Sequence, residues 1–193
     1  MPPAPSIRLI APDTSSAVLV GYSGGVDSTV LLHLLASDTA IRSRGLRALH
    51  VHHGLQPDAD LWADHCLRIC GSLDIDCEIA RVMVERDSGL GTEAAARQAR
   101  RAVFARILHA GETLALAHHR DDQAETFLLR ALRASGPDGL ASMRPWRDFA
   151  GGWLWRPLLG TPRADLLAYA RTHSLNWIED PSNADTAHDR NFI

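Results

Sequence analysis

Residues 21–30 read Gly-Tyr-Ser-Gly-Gly-Val-Asp-Ser-Thr-Val, with the apolar run Ala17–Val20 before them and leucines 31, 32, 34 and 35 after them. A short apolar run bounded by glycine reads as a buried strand, and leucines at helical spacing read as the inner face of a helix. A strand that passes through a glycine turn straight into a helix opens a βα unit. The same alternation recurs along the chain. Strands are expected over 17–21, 46–51, 75–82 and 113–117, and helices over 28–37, 58–72, 92–110 and 121–134. This order predicts an α/β fold, a Rossmann-like and mostly parallel sheet with helices on both faces. After Ser135 the texture changes. Residues 135–153 are rich in turn formers and read as a loop with a short hairpin. A fifth strand is expected over 154–158 and a helix over 162–173, with Pro162 in its first turn. Residues 1–13 read as a loose lead-in and 14–193 as one catalytic domain.

The 193 residues suffice for one sizeable core, and the net charge of −3 gives no global signal for nucleic acid. All 20 basic residues are arginine. Without a lysine there is no Walker A loop, so any phosphate chemistry falls to backbone N–H groups, arginine and metal. No apolar run approaches the roughly 20 residues of a membrane span, and the proline-rich start does not read as a signal peptide. A cytoplasmic protein with no membrane partner is expected. Cys66, Cys70 and Cys77 form no CxxC pair and read as packing residues.

A glycine turn between strand and helix gathers backbone N–H groups at a helix N-terminus, which is an anion site by geometry and by helix dipole. Gly24 and Gly25 permit close approach, and Ser23 and Ser28 add hydroxyl donors. Asp27 would repel a phosphate unless a cation intervenes, which points to Mg²⁺ held between them. A plain turn with Asp27 and Ser28 as helix caps fits the same stretch. His50, His52 and His53 close the second strand, where an open parallel sheet binds ligands. His50 and His52 share a face and His53 points away. Cleft lining, surface exposure and metal ligation all fit this spacing. On a helix starting near His118, residues 118, 122 and 125 fall within about 60° of arc. His118, Asp122 and Glu125 would then form one polar cluster, with Phe127, Leu128, Ala131 and Leu132 supplying the buried surface. An imidazole and two carboxylates can hold Mg²⁺, position an amine or accept its proton; an acidic first turn favoured by the helix dipole fits as well. Arg97, Arg100 and Arg101 share one side of a helix, either solvated or in contact with phosphates.

Ser23–Ser28 resembles the pyrophosphate-binding signature of the PP-loop ATP pyrophosphatases. HVHHGL at 50–55, EAAAR at 93–97, HHRDDQAETFLLRAL at 118–132, GLASM at 139–143, RPLL at 156–159, EDPSN at 179–183 and Arg190-Asn191 extend the likeness. In this order they resemble the catalytic domain of the tRNA(Ile)-lysidine synthetases over residues 17–193. The resemblance implies an adenine nucleotide alpha hydrolase-like fold of PP-loop type. It implies ATP-dependent ligation of free L-lysine to C2 of the wobble cytidine of tRNA(Ile) with a CAU anticodon, with release of AMP and pyrophosphate. Ser23, Gly24, Gly25, Val26, Asp27 and Ser28 would cradle pyrophosphate, with Mg²⁺ on Asp27. His50, His53 and Arg97 would line the nucleotide. Asp122 and Glu125 would bind lysine, His118 would assist proton transfer, and Arg190 would stabilise the leaving phosphate. The alternatives are another PP-loop tRNA-modifying enzyme, such as a cytidine thiolase, and a non-catalytic ATP-binding module. The family pattern runs past Arg190-Asn191 to a further arginine, and many members carry C-terminal tRNA-gripping domains. The expectation is therefore a domain that binds ATP and holds tRNA poorly alone.

Overall fold

The computed structural model describes residues 7–10, 14–54, 56–83, 91–132 and 143–179. In chain order the elements are β1 (Val18–Gly21), α1 (Val26–Ser37), α2 (Thr39–Arg44), β2 (Leu46–His52), α3 (Ala59–Ser72), β3 (Asp76–Arg81), α4 (Thr92–Ile107), β4 (Thr113–Ala115), α5 (Arg120–Leu132), β5 (Trp146–Phe149), β6 (Gly152–Trp155) and α6 (Arg163–Thr172). The six strands form one sheet in the order β3-β2-β1-β4-β6-β5. All neighbours run parallel except β5, which returns antiparallel beside β6. The expected α/β sheet with helices on both faces is thus what the chain forms. No helix among the described residues is long and apolar enough to cross a membrane.

Strand alternation divides the core in two. Val18, Val20, Ala48 and Ala115 face α1, α2, α3 and α6, whose Leu31, Ile41, Cys70 and Leu166 complete one cluster. Leu19, Leu49, Val51, Leu114 and Leu154 face the other way and pack with Val103, Phe104 and Leu108 at the C-terminal end of α4. Gly21 is required where the faces crowd the strand end: a Cβ there would lie 2.5 Å from Leu116 Cδ2 and 2.9 Å from Phe104 Cζ. The strand order reverses direction about β1, so a crevice opens between the carboxyl ends of β1 and β4.

Three expectations need correction. The fifth parallel strand ends at Trp155, because Pro157 cannot continue the ladder, and the preceding segment supplies β5 as its hairpin partner. The lead-in is tied down at Ile7–Ile10: Ile10 N–H donates to the Pro157 carbonyl at 3.0 Å, Trp155 Nε1–H donates to the Ile10 carbonyl at 2.9 Å, and Ile7 and Leu9 pack on the core. On α5, Phe127, Leu128, Ala131 and Leu132 are all exposed, Leu132 at 83%, and Thr126 is the buried residue. The helix is held instead by Gln123, whose amide exchanges two hydrogen bonds with the Met143 backbone. Cys66 and Cys70 are buried and Cys77 half-buried, all as free thiols, as packing residues should be.

Candidate active site

The turn after β1 is built by its own hydroxyls. Ser28 Oγ lies 3.0 Å from Ser23 Oγ and donates to the Gly25 carbonyl at 3.0 Å, while Thr29 Oγ1 donates to the same carbonyl at 2.9 Å. Gly24 has φ +87°, and a Cβ there would lie 2.5 Å from Ile178 Cδ1 and 3.1 Å from Cys66 Sγ. Only glycine fits that position. Ile178 N–H donates to the Gly24 carbonyl at 2.9 Å, which brings the segment before Glu179 back onto the turn. Gly25 caps α1 with no side-chain bond, and Asp27 stands in the first turn. The helix start is thus left open toward the crevice, with Ser23 exposed at its lip and Val26 buried behind it.

The alternation of β4 continues four residues past its ladder. Leu116 packs with the α4 cluster and Ala117 with the opposite one. His118 therefore falls on the α4 face and His119 on the α1 face. His119, buried at 5% exposure, puts Nε2 3.6 Å from Asp27 Oδ2 and 3.6 Å from Asp122 Oδ1, with Nδ1 3.8 Å from Asp121 Oδ2. Asp122 also accepts the His119 N–H at 2.8 Å, closing the start of α5 as a capping residue does. Burial opposes a charge on His119, but Asp27, Asp122 and Asp121 outweigh it and raise its pKa. Burial raises the Asp122 carboxyl, helped by Asp27 and Glu125. Asp27 Oδ1 is buried and accepts no hydrogen bond. That open oxygen beside a phosphate-shaped turn fits Mg²⁺, which is held through one or two carboxylates together with substrate phosphates.

Asp27 and Asp122 therefore come together, but through His119 rather than His118, and Glu125 acts on Asp122 by its charge. His118 precedes α5, and its surroundings are cationic: burial, then Arg156, Arg100, His119 and Arg97, push its pKa down to about 3. His53 shares that side, pushed down to about 4 by burial and Arg100. Arg97 and Arg100 lie half-buried on α4, whereas Arg101 is exposed and covers the Phe149 ring at 5.5 Å. His50 is buried, 3.0 Å from the Tyr22 carbonyl and 3.3 Å from Cys66 Sγ. Arg190 lies outside the described residues. The signal that could have found His119 was the strand period itself, carried one residue further than the helix-based reading carried it.

A parallel sheet whose first strand turns through open backbone into a helix, with an uncapped carboxylate beside the turn, defines a nucleotide-binding α/β domain of pyrophosphate-loop type. A family model described as the PP-loop domain matches residues 5–193, and the chain belongs to that family. The tRNA(Ile)-lysidine synthase of Xanthomonas axonopodis pv. citri is 69% identical over 91% of this chain and 40% of the relative. That of Escherichia coli O157:H7 is 50% identical over 93% of this chain and 42% of the relative. The chain thus spans about 40% of the length of the curated relatives it matches. The U34-tRNA thiolase NcsA from Methanococcus maripaludis, solved with its 4Fe-4S cluster, has a TM-score of 0.68 at 19% identity, over 88% of this chain and 61% of that one. An NH3-dependent NAD synthetase from Campylobacter jejuni has a TM-score of 0.52 at 16% identity, over 84% of this chain and 66% of that one. These two share the fold.

Proposed function

We propose that this domain carries out the cytoplasmic, ATP-dependent ligation of free lysine to C2 of the wobble cytidine in tRNA(Ile) bearing a CAU anticodon. The observation that carries this reading is the 69% identity to a tRNA(Ile)-lysidine synthase across 91% of the chain. In the first step the C2 oxygen of cytidine attacks the α-phosphorus of ATP, and pyrophosphate leaves with the bonding pair. The backbone N–H groups of Ser23–Ser28 take that pyrophosphate. Asp27 would hold Mg²⁺, which neutralises charge on the phosphates when bound. In the second step the ε-amine of lysine attacks C2, the C2–O bond breaks, and AMP departs. Asp122 and Glu125 hold the cationic amino acid, and the raised Asp122 carboxyl can take a proton from the attacking amine. His118, kept unprotonated, presents an acceptor on the opposite side. His53 and Arg97 line the nucleotide, and Arg190 meets the leaving phosphate. A cytidine thiolase of the same fold would call for CxxC pairs, and Cys66, Cys70 and Cys77 form none.

The test is incorporation of labelled lysine into tRNA by the purified protein with ATP and Mg²⁺. Label confined to the CAU isoleucine tRNA, with AMP formed in step, is expected. AMP formation with tRNA but no label would remove lysine as the substrate.

A further inference from the structure

Along the α4 face of the sheet, the apolar rows end in cations and histidines. Leu49 and Val51 lead to His53, Leu114 and Leu116 lead to His118, and Leu154 leads to Arg156. Arg147 pairs with Leu154 across the β5–β6 hairpin, so it stands on the same face as Arg156 and diagonal to it. Arg100 lies one turn of α4 before Phe104, above the same rows. Arg156 is only 2% exposed, and its Nη1 donates to the Arg144 carbonyl at 2.9 Å.

This patch is left open on its polar side. Arg100 Nε, Arg147 Nε and Nη2, Arg156 Nε, His53 Nδ1 and His118 Nδ1 are all buried without a hydrogen-bond partner. Arg42, Arg47 and Arg81 stand in ion pairs, whereas Arg100, Arg147 and Arg156 have no carboxylate partner among the described residues. Burial lowers all three guanidinium groups, aided by Arg97 at Arg100, by Arg101 at Arg147 and by Arg147 at Arg156, which falls to about 10. Burying a guanidinium without a counter-charge is strongly unfavourable, and such groups are better replaced by apolar ones unless an anion completes them. Guanidinium forks match oxyanions specifically.

We propose that Arg100, Arg147 and Arg156 form an oxyanion subsite, separate from the glycine turn, beside His118. The oxyanion is either the carboxylate of the amino-acid substrate or a phosphodiester of the RNA, two sources that rest on the function proposed above. The subsite itself is tested without turnover. With pyrophosphate and Mg²⁺ saturating the glycine turn, binding is read by thermal shift for L-lysine, for 1,5-diaminopentane, which lacks the carboxylate, and for the dinucleoside monophosphate CpA. Lysine binding well above the diamine identifies the carboxylate; CpA binding identifies the phosphodiester. In either case Arg156→Met and Arg147→Gln each weaken the bound probe by about tenfold or more, while pyrophosphate affinity holds. Arg156→Met also raises the Tm of the probe-free protein. The proposal is overturned if lysine binds no better than the diamine and CpA does not bind. It is also overturned if the affinity survives in Arg147→Gln, or in an Arg156→Met variant that still binds pyrophosphate. Failure of lysine incorporation with these results intact would instead count against the function.

Discussion

At the end of β4 the chain sets His118 among Arg100 and Arg156, and His119 against Asp27 and Asp122. The two residues are adjacent in sequence and identical in type. Burial alone would discharge both. On the α1 side three carboxylates overcome it and favour the imidazolium. On the α4 side the arginines add to it. The acidic half of the crevice is therefore largely satisfied by its own groups, with Asp27 Oδ1 as its open atom. In the basic half, Arg100 Nε, Arg147 Nε and Nη2 and Arg156 Nε have no acceptor among the described residues. The proposed function, which brings polyphosphate, a cationic amino acid and a base together, needs both kinds of surface, and the pleat of one strand separates them by a single residue.

The largest effect is expected from the open oxygen of the acidic half. Asp27→Asn keeps size and loses charge, and AMP formation should fall by about 10³-fold, measured as ATP-to-AMP conversion with tRNA present. A fall of less than tenfold would make Asp27 a helix-start residue only.

A buried pair at the other end of the sheet shows what a self-contained arrangement does, and so sharpens the contrast with Arg156. Glu112, 4% exposed, accepts from Arg47 Nε at 2.8 Å and Nη2 at 2.7 Å, and from the His109 N–H at 2.9 Å. Burial tends to raise this carboxyl, but the Arg47 bonds and the His109 N–H leave it below its ordinary value. Removing one partner of such a pair should destabilise by about 3 kcal/mol, so Glu112→Gln lowers the denaturant midpoint, where Arg156→Met raises stability. The sign with pH follows from the depressed value. The pair's contribution is complete above the unfolded glutamate value of about 4.3 and is lost as pH falls through the lower folded one. Acid titration of unfolding free energy in the parent, and its flattening in Glu112→Gln, checks it.

Asp122→Asn should come next. It preserves the acceptor that closes α5 onto the His119 N–H and removes the charge proposed to face the amino acid. The lysine KM should rise by about 10- to 100-fold, with tRNA-dependent pyrophosphate release changed less. An unchanged KM with reduced stability would confine Asp122 to capping.

Much of this was legible in the chain. The order of strands and helices follows from apolar periodicity, and the glycines of Ser23–Ser28 mark the turn from β1 into α1. Asp38 was a legible start signal for α2 that composition-level reading passed over: its carboxylate caps Ala40 and Ile41 at 2.9 and 3.1 Å. The error at α5 has a physical cause. Phe127, Leu128 and Leu132 carry an amphipathic pattern, but a pattern names a face without naming what covers it, and Gln123 anchors the helix elsewhere. Arg147 and Arg156 could not be found locally, because Arg156 meets His118 through the register of β6 and β4 and Arg147 meets Arg156 through that of β5 and β6, which no single segment encodes.

The smallest effect isolates His118 from its neighbour. Its folded pKa of about 3 lies below the unfolded histidine value of about 6.5. Below pH 6.5 the unfolded chain takes up a proton at this position that the folded one refuses, so stability is full above that pH and declines as pH falls toward 3. The decline reaches about 1.4 kcal/mol for each unit of pH once well below 6.5. Partial solvent access and the denatured ensemble trim this, so about 1 kcal/mol between pH 6.5 and 5.5 is the expected scale. His118→Asn should flatten the slope in that window relative to the parent. Filling the adjacent arginine pocket with an oxyanion should do the same, by bringing negative charge beside the ring and letting it protonate in the folded state. If bound anion leaves the slope unchanged while His118→Asn flattens it, the anion does not sit beside His118. The two halves of the crevice would then be distinguished by their protonation alone, and not by the charge of what they hold.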